Sequence, residues 1–276
     1  QLKAGVILSS TGPAASLGIP DRAAVSLMPK QVGSQSIEYL VLDDASDTTI
    51  ARRNMEKLIS EEKVDAIIGS STSPVSISLV EVAGRSKTPM ISLGAAISII
   101  EPQDENRRWV FKTPYNDSAV ANATVKSLSK SGAKKIGVIA FNDAYGESWL
   151  TELSKAVEAG GPKIVAKERY NRTDTSVTAQ VLKVMSAKPD AVIVIASGTP
   201  AVLPQATLRE RGFKGNIYQT SGVTNADFIR VGREAVEGTL AAAASVTVAA
   251  DLPADHPAKT PGMEFLKRWQ QLPNAG

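Results

Sequence analysis

Short apolar runs with a helical stretch between each pair recur along this chain up to residue 219, and that alternation restricts the fold more than any single motif does. Val6-Ile7-Leu8, Ile37 to Leu42, Val64-Asp65-Ala66-Ile67-Ile68 and Met90-Ile91-Ser92 read as strands, and the stretches from Ile19 to Pro29, over 48–60 and from Pro74 to Arg85 read as the helices between them. Strands this apolar, alternating with amphipathic helices, are those of a parallel sheet covered on both faces. After Trp109-Val110-Phe111-Lys112 and a turn at Thr113-Pro114 the cycle restarts: helix 116–130, strand Lys135 to Ala140, helix 145–159, strand 163–168, helix 176–187, strand Ala191 to Ala196, helix 200–211, strand Asn216 to Gln219. Two cycles meeting near residue 115 predict two similar α/β lobes. Beyond about 238 the pattern changes: Thr239 to Val248 predicts a long strand, and Pro253, Pro257 and Pro261 punctuate a connection into a last helix, Gly262 to Gln270.

Three of the apolar runs end in small hydroxyl residues and a proline: Ser9-Ser10-Thr11-Gly12-Pro13, Ser70-Ser71-Thr72-Ser73-Pro74 and Ser197-Gly198-Thr199-Pro200. Ser or Thr at the N-cap with Pro at the first helical position leaves free N–H groups and the positive end of the helix dipole facing the crevice. An anionic ligand can settle there without a side-chain cation. A single such loop reads as a helix cap and nothing more; the threefold recurrence points to a site. No dinucleotide or phosphate-loop fingerprint accompanies it, and the single histidine, His256 in Asp255-His256-Pro257, has no nucleophile partner and reads as solvent-exposed. The loops therefore predict holding rather than transforming, with no enzyme activity, no cofactor and no metal.

Composition removes other classes. With 43% hydrophobic residues among 276, the chain has ample material for buried cores. The net charge of +3 comes from scattered residues: the pairs Arg52-Arg53, Arg107-Arg108 and Lys134-Lys135 sit at element edges, with no basic stripe or interleaved aromatics that would suit nucleic acid. The Ala-rich stretch 241–250 is broken by Ser245 and Thr247, and no window reaches the apolar length of a membrane span. Absence of cysteine excludes disulfides and thiolate chemistry. The chain begins Gln1-Leu2-Lys3 and enters a strand at once, which leaves a cytoplasmic protein or one whose signal has been removed.

Five segments then carry a family resemblance in order and spacing: Ile7-Leu8-Ser9-Ser10-Thr11-Gly12-Pro13, Leu42-Asp43-Asp44-Ala45-Ser46-Asp47, Ile67-Ile68-Gly69-Ser70-Ser71, Ile91-Ser92-Leu93-Gly94-Ala95 and Asn142-Asp143-Ala144-Tyr145-Gly146. Along its whole length the chain resembles the type I periplasmic solute-binding proteins, and more narrowly the branched-chain amino-acid-binding branch that feeds ABC importers. The resemblance implies two Rossmann-like lobes joined by a hinge: residues 1–116, residues 117–244, and a return of 245–276 to the first lobe. It implies a periplasmic monomer that closes on a small molecule and delivers it to a membrane permease. The family continues past Gly276, so some cleft residues are expected to lie beyond this chain.

Carried over position by position, the resemblance implies that Ser73, with Ser71 and Thr72 beside it, meets a ligand carboxylate, joined by Gly94, Ala95 and Ala96 after the fourth strand. Tyr145 of the second lobe matches a family position, and Ser10 of the first hydroxyl loop is a further candidate ligand contact. Elsewhere the chain departs from the family. Ala96 replaces a Thr, family tyrosines have become Leu17 and the Ser197-Gly198-Thr199 loop, and the acid that pairs with an amino acid's ammonium has become Ser221. A buried ammonium without a carboxylate partner is costly, so an organic acid, aromatic or otherwise, is the expected ligand. The alternatives are a branched-chain or other amino acid, or a ligand-sensing domain of a receptor. Trp149 and Phe141 read as core, Asp43, Asp44 and Asp47 as turn and cap residues, and Asp117 as a hinge-side hydrogen-bonding group.

Overall fold

The apolar runs become the central strands of two parallel sheets, in a computed structural model that describes residues 1–273. The first sheet is built from β1 (Leu2–Leu8), β2 (Gln31–Val32), β3 (Gln35–Asp43), β4 (Ala66–Gly69), β5 (Met90–Ser92) and β6 (Val110–Lys112), in the order β2-β3-β1-β4-β5-β6. Helices α1 (Ala15–Val25), α2 (Thr48–Ser60) and α3 (Ser73–Ser86) supply its crossovers. Each strand of this sheet is parallel to its neighbour except β2, a two-residue edge that turns back on β3 and that the apolar pattern does not predict. Because β1 is paired on both sides, Val6 facing Val41 and Ile68, its last residues are fully buried, and Ile7 joins a core with Leu58, Ile67, Leu79 and Met90.

The second cycle follows: α4 (Asp117–Lys130), β7 (Lys135–Phe141), α5 (Ala144–Glu158), β8 (Lys163–Tyr170), α6 (Thr178–Ser186), β9 (Ala191–Ile195), α7 (Val202–Glu210), β10 (Asn216–Gln219), α8 (Ala226–Gly232) and β11 (Leu240–Ala241). Its strands are parallel in the order β11-β10-β9-β7-β8, so the chain forms two lobes, each on its own sheet, as the family resemblance implies. Phe141 and Trp149 are buried in this lobe's core, as their apolar character predicts. Strand and helix bounds otherwise fall within a few residues of the sequence reading, and no helix among the described residues is long and apolar enough to cross a membrane.

Four expectations change. The strand expected over Thr239 to Val248 shrinks to Leu240–Ala241, followed by a 3-10 stretch, Ser245–Asp251, and α9 (Lys259–Trp269). Alanine has little preference for a pleated strand, and this run offers no alternating bulky side chains to pack one. The helix after β1 begins at Ala15 rather than Ile19, because Gly12, at φ +79°, turns the chain so that Ala15 N–H bonds back to the Gly12 carbonyl. His256 is half-buried rather than exposed, its Nδ1 accepting from Ala258 N at 3.1 Å.

The fourth concerns the hydroxyl loops, for none of the three caps its helix through a side chain. Their hydroxyls tie loops to one another instead: Ser71 Oγ accepts from Ser9 N at 3.2 Å and Ser70 Oγ donates to Asp44 at 2.6 Å. The aspartates do the turn and cap work. Asp43 accepts from Ser10 N and Ala45 N, and Asp47 caps α2 by accepting from Ile50 N.

Candidate functional site

In parallel sheets the loops after the strands gather at one end, and here the two sets of loops enclose a cleft of about 890 Å3. From the first lobe come Ser16, Leu17 and residues 19–23 of α1, with Asp21 and Arg22 among them, Ser71 to Ser73, Leu93 to Ala95, and Pro114. From the second come Tyr145, Arg172, Ser197, Ser221, Gly222 and residues 224–227, and α9 adds Trp269. Of the positions singled out from the sequence, Leu17, Ser71, Thr72, Ser73, Gly94, Ala95, Tyr145, Ser197 and Ser221 line this cleft. Ser10, Ala96, Gly198 and Thr199 do not: Ser10 N–H is held by Asp43, Ala96 is fully buried, and Gly198 and Thr199 N–H groups donate to the Gly222 carbonyl and Ser16 Oγ.

The first-lobe wall is rich in hydroxyls, yet many of its backbone donors are already engaged. Gly94 N donates to Ser92 Oγ at 2.9 Å, and Ala95 N and Ala96 N both donate to Ser73 Oγ, at 3.2 and 3.0 Å. The loop after β5 is thereby fastened to the start of α3, and its N–H groups are not spare donors for a ligand. Beside it, on α1, burial pushes the Asp21 carboxyl up to about 6, with the Ser71 hydroxyl as the one neighbour drawing it back down.

The second-lobe wall carries what the sequence reading missed. Arg172, in the loop after β8, puts a guanidinium in the cleft wall that is mostly buried. Its Nε donates to Asp143 Oδ2 at 2.6 Å, its Nη1 donates to Ser197 Oγ at 3.1 Å, and its Cζ stands 4.1 Å from the Phe141 ring centroid. Asp143 has a second duty, capping α5 by accepting from Tyr145 N and Gly146 N. The signal that would have found Arg172 is positional: a cation directly after a parallel strand lies at the ligand end of the sheet. Tyr145 contributes its ring to the wall, while its hydroxyl donates to Thr220 Oγ1 at 2.7 Å. Burial holds that phenol far above its ordinary range.

Among the described residues two hydrogen bonds join the lobes. Thr199 N donates to Ser16 Oγ at 3.0 Å, and Ile97 N donates to Ser148 Oγ at 3.3 Å. Ser148 in turn donates to Asp117 at 2.5 Å, so Asp117 holds the group that spans the junction. Burial pushes the Asp117 carboxyl up to about 6, partly offset by the Ser148 bond and then by Lys112.

These raised carboxyls set a pH dependence. In the unfolded chain Asp21, Asp44 and Asp117 return to the ordinary carboxylate range, so between about pH 4 and 6 the folded state binds more protons, and stability falls as pH rises through that window. Asp43 and Glu147, held below that range, stay ionised over it. Urea unfolding of the unliganded protein should therefore show on the order of 1–3 kcal/mol more stability at pH 5 than at pH 7.5. A lower urea midpoint at pH 5 would contradict this assignment.

Chemically, the cleft offers the guanidiniums of Arg172 and Arg22, hydroxyls and an apolar lining of Leu17, Ile19, Pro20 and Trp269. Among the described residues no group of three His, Cys, Asp or Glu side chains is placed to hold a metal ion. Set beside known proteins, residues 1–273 match the family described as periplasmic binding protein. The solved structure of an extracellular ligand-binding receptor from Rhodopseudomonas palustris HaA2 is 45% identical with a TM-score of 0.95, covering 100% of this chain and 76% of that one. A leucine-binding protein from Thermotoga maritima is 26% identical with a TM-score of 0.84, covering 100% of this chain and 78% of that one. Leu/Ile/Val-binding protein homolog 7 of Brucella abortus is 25% identical over 80% of this chain. The curated relatives are longer proteins: the chain spans 59% of the Brucella protein and 17% of glutamate receptor 2.4 from Arabidopsis thaliana.

Proposed function

Because this chain belongs to the periplasmic binding protein family, we propose that it is the extracytoplasmic solute-binding component of an ABC importer, holding a small carboxylate with an apolar body, such as an aromatic acid, between its lobes. The observation that carries this reading is the charge in the second-lobe wall: a guanidinium at Arg172, and a serine at 221 where the family resemblance calls for an acid to meet an ammonium. An α-ammonium would lie next to the carboxylate it accompanies, and therefore next to Arg172. Of the acids near Arg172, Asp143 is engaged with Arg172 and α5 and Asp227 with Arg230 at 2.7 Å, and the remaining cleft carboxylate, Asp21, belongs to the opposite wall on α1. A carboxylate without that ammonium avoids the repulsion and the desolvation.

In this reading the lobes divide at residues 116 and 244, and 245–276 returns to the first lobe; the bond from the Arg268 guanidinium to the Leu27 carbonyl supports that return. Residues 274–276 lie outside the described residues. The protein acts as a monomer, closes on its ligand by hinge motion, and passes it unchanged to a membrane permease. The test is a thermal-shift screen followed by calorimetry with benzoate, 3-phenylpropanoate, leucine and phenylalanine. A carboxylate lacking the α-amino group should raise the melting temperature and bind at least about tenfold tighter than its amino-acid counterpart, the factor of one charge-assisted hydrogen bond. Tight leucine binding by the unaltered protein would overturn the ligand assignment.

A further inference from the structure

Four charged side chains line this cleft; Asp227 is paired with Arg230 and Arg22 is exposed to solvent, while Arg172 and Asp21, from different lobes, each have capacity that the protein leaves unused. Arg172 is fixed on three sides: Asp143 holds Nε at 2.6 Å, Ser197 holds Nη1 at 3.1 Å, and the Phe141 ring backs the plane at 4.1 Å. Among the described residues its Nη2 hydrogens meet no protein acceptor, which leaves the outer edge of the fork for an anion. A guanidinium held this way has little freedom left to lose when a carboxylate docks. Asp21 is the converse. It lines the same cleft from α1, and among the described residues no cation pairs with it; the Ser71 hydroxyl is the one neighbour that draws its carboxyl pKa back down. The Asp21 carboxyl stands on the Ser71–Ser73 side, so an anion placed at the start of α3 would face a second carboxylate. Moreover, the Ala95 and Ala96 N–H groups of that wall are taken by Ser73.

We infer that the ligand lies across the cleft with its carboxylate on Arg172 and a hydrogen-bond donor at its far end on Asp21, which makes the preferred ligand class a carboxylate carrying a distal hydroxyl or amine. This rests on the carboxylate reading above and reverses the orientation that the helix-start loops alone suggest. The high carboxyl pKa of Asp21 agrees with a group short of donors. A donor from the ligand restores that missing partner, whereas an ether oxygen at the same place sets one acceptor against another and leaves the half-buried carboxyl unsatisfied.

Calorimetry on the unaltered protein with 3-phenylpropanoate, 3-(4-hydroxyphenyl)propanoate, its 4-aminomethyl analogue and its 4-methoxy ether tests this directly, and the hydroxyl and amine arms tell the two donors apart. The better of the two donor-bearing acids should bind about 10- to 100-fold tighter than the methoxy ether. With Asp21→Asn that preference should shrink to within about threefold, because the amide can donate to the ether as well as accept from the hydroxyl. Arg172→Gln should weaken every carboxylate by about 100-fold, while binding of the corresponding primary amides changes little. The acid-to-amide ratio separates an anchoring role from a general loss of structure. If no carboxylate of the panel binds, the functional reading falls and this inference falls with it. If carboxylates bind but hydroxyl, aminomethyl and methoxy compounds bind alike, or Arg172→Gln keeps its affinity within threefold, only the inference is overturned.

Discussion

Replacing Gly69 with alanine is expected to remove about 3 kcal/mol or more of folding stability, a large fraction of what a protein of this kind possesses. Gly69 ends β4 at φ +125°, a conformation that side chains rarely adopt, and a Cβ there would stand 1.9 Å from the Ile7 carbonyl oxygen. That oxygen cannot step aside, since β1 is bonded to β3 on one edge and to β4 on the other. Interior packing leaves no compensating space. Gly160 supplies the control: it has φ +122° but nothing within 4 Å of where a Cβ would stand, so Gly160→Ala should lose only the backbone part, about 1–2 kcal/mol. Equal losses in urea unfolding of the two variants would show that the approach of β4 to β1 contributes nothing. The stakes are functional as well, because β4 delivers Ser71 to Ser73 to the cleft wall.

Phe141→Ala is expected to cost about 3–5 kcal/mol, the usual range for emptying a buried aromatic site. The side chain is fully buried at the end of β7, its ring centroid is 5.1 Å from that of Tyr170, and its other neighbour is the Arg172 guanidinium. Phe141→Leu separates the two duties. Leucine fills much of the space and should cost about 1–2 kcal/mol, but it presents no ring face to the cation. Carboxylate affinity should then fall several-fold although the lobe stays folded. An unchanged affinity in the leucine variant, measured by calorimetry beside an unfolding curve, would mean that Asp143 and Ser197 position Arg172 without the ring.

The cleft is legible in part from the sequence, and the division has a cause. Tyr145, Ser197, Ser221 and the Ser71–Ser73 loop belong to it because each follows a strand, and all strands of a parallel sheet present their carboxyl ends on one side. Arg172 follows a strand too, but the residues that make it a site, Phe141, Asp143 and Ser197, lie 25 to 31 residues away along the chain. The same holds for the hydroxyls. Local reading takes a serine before a helix for a cap, whereas Ser73 Oγ serves N–H groups 22 and 23 residues on, and Ser16 Oγ accepts from Thr199, 183 residues away in the other lobe.

By itself the sequence determined the two α/β lobes and their cores, since the apolar runs from Val6 to Leu8 and from Ala191 to Ile195 can be buried only as inner strands with helices on both faces. That information is local: the period of a strand or helix is written within a few residues. Only the tertiary structure decided which polar groups are spent and which are free. It engaged the amides of Gly94 to Ala96, fixed Arg172 on three sides, set Asp21 beside Ser71, and reduced the run after Thr239 to a two-residue strand. A hydrogen bond or an ion pair depends on which distant loops the sheets bring within about 3 Å of each other, and no spacing along the chain encodes that distance.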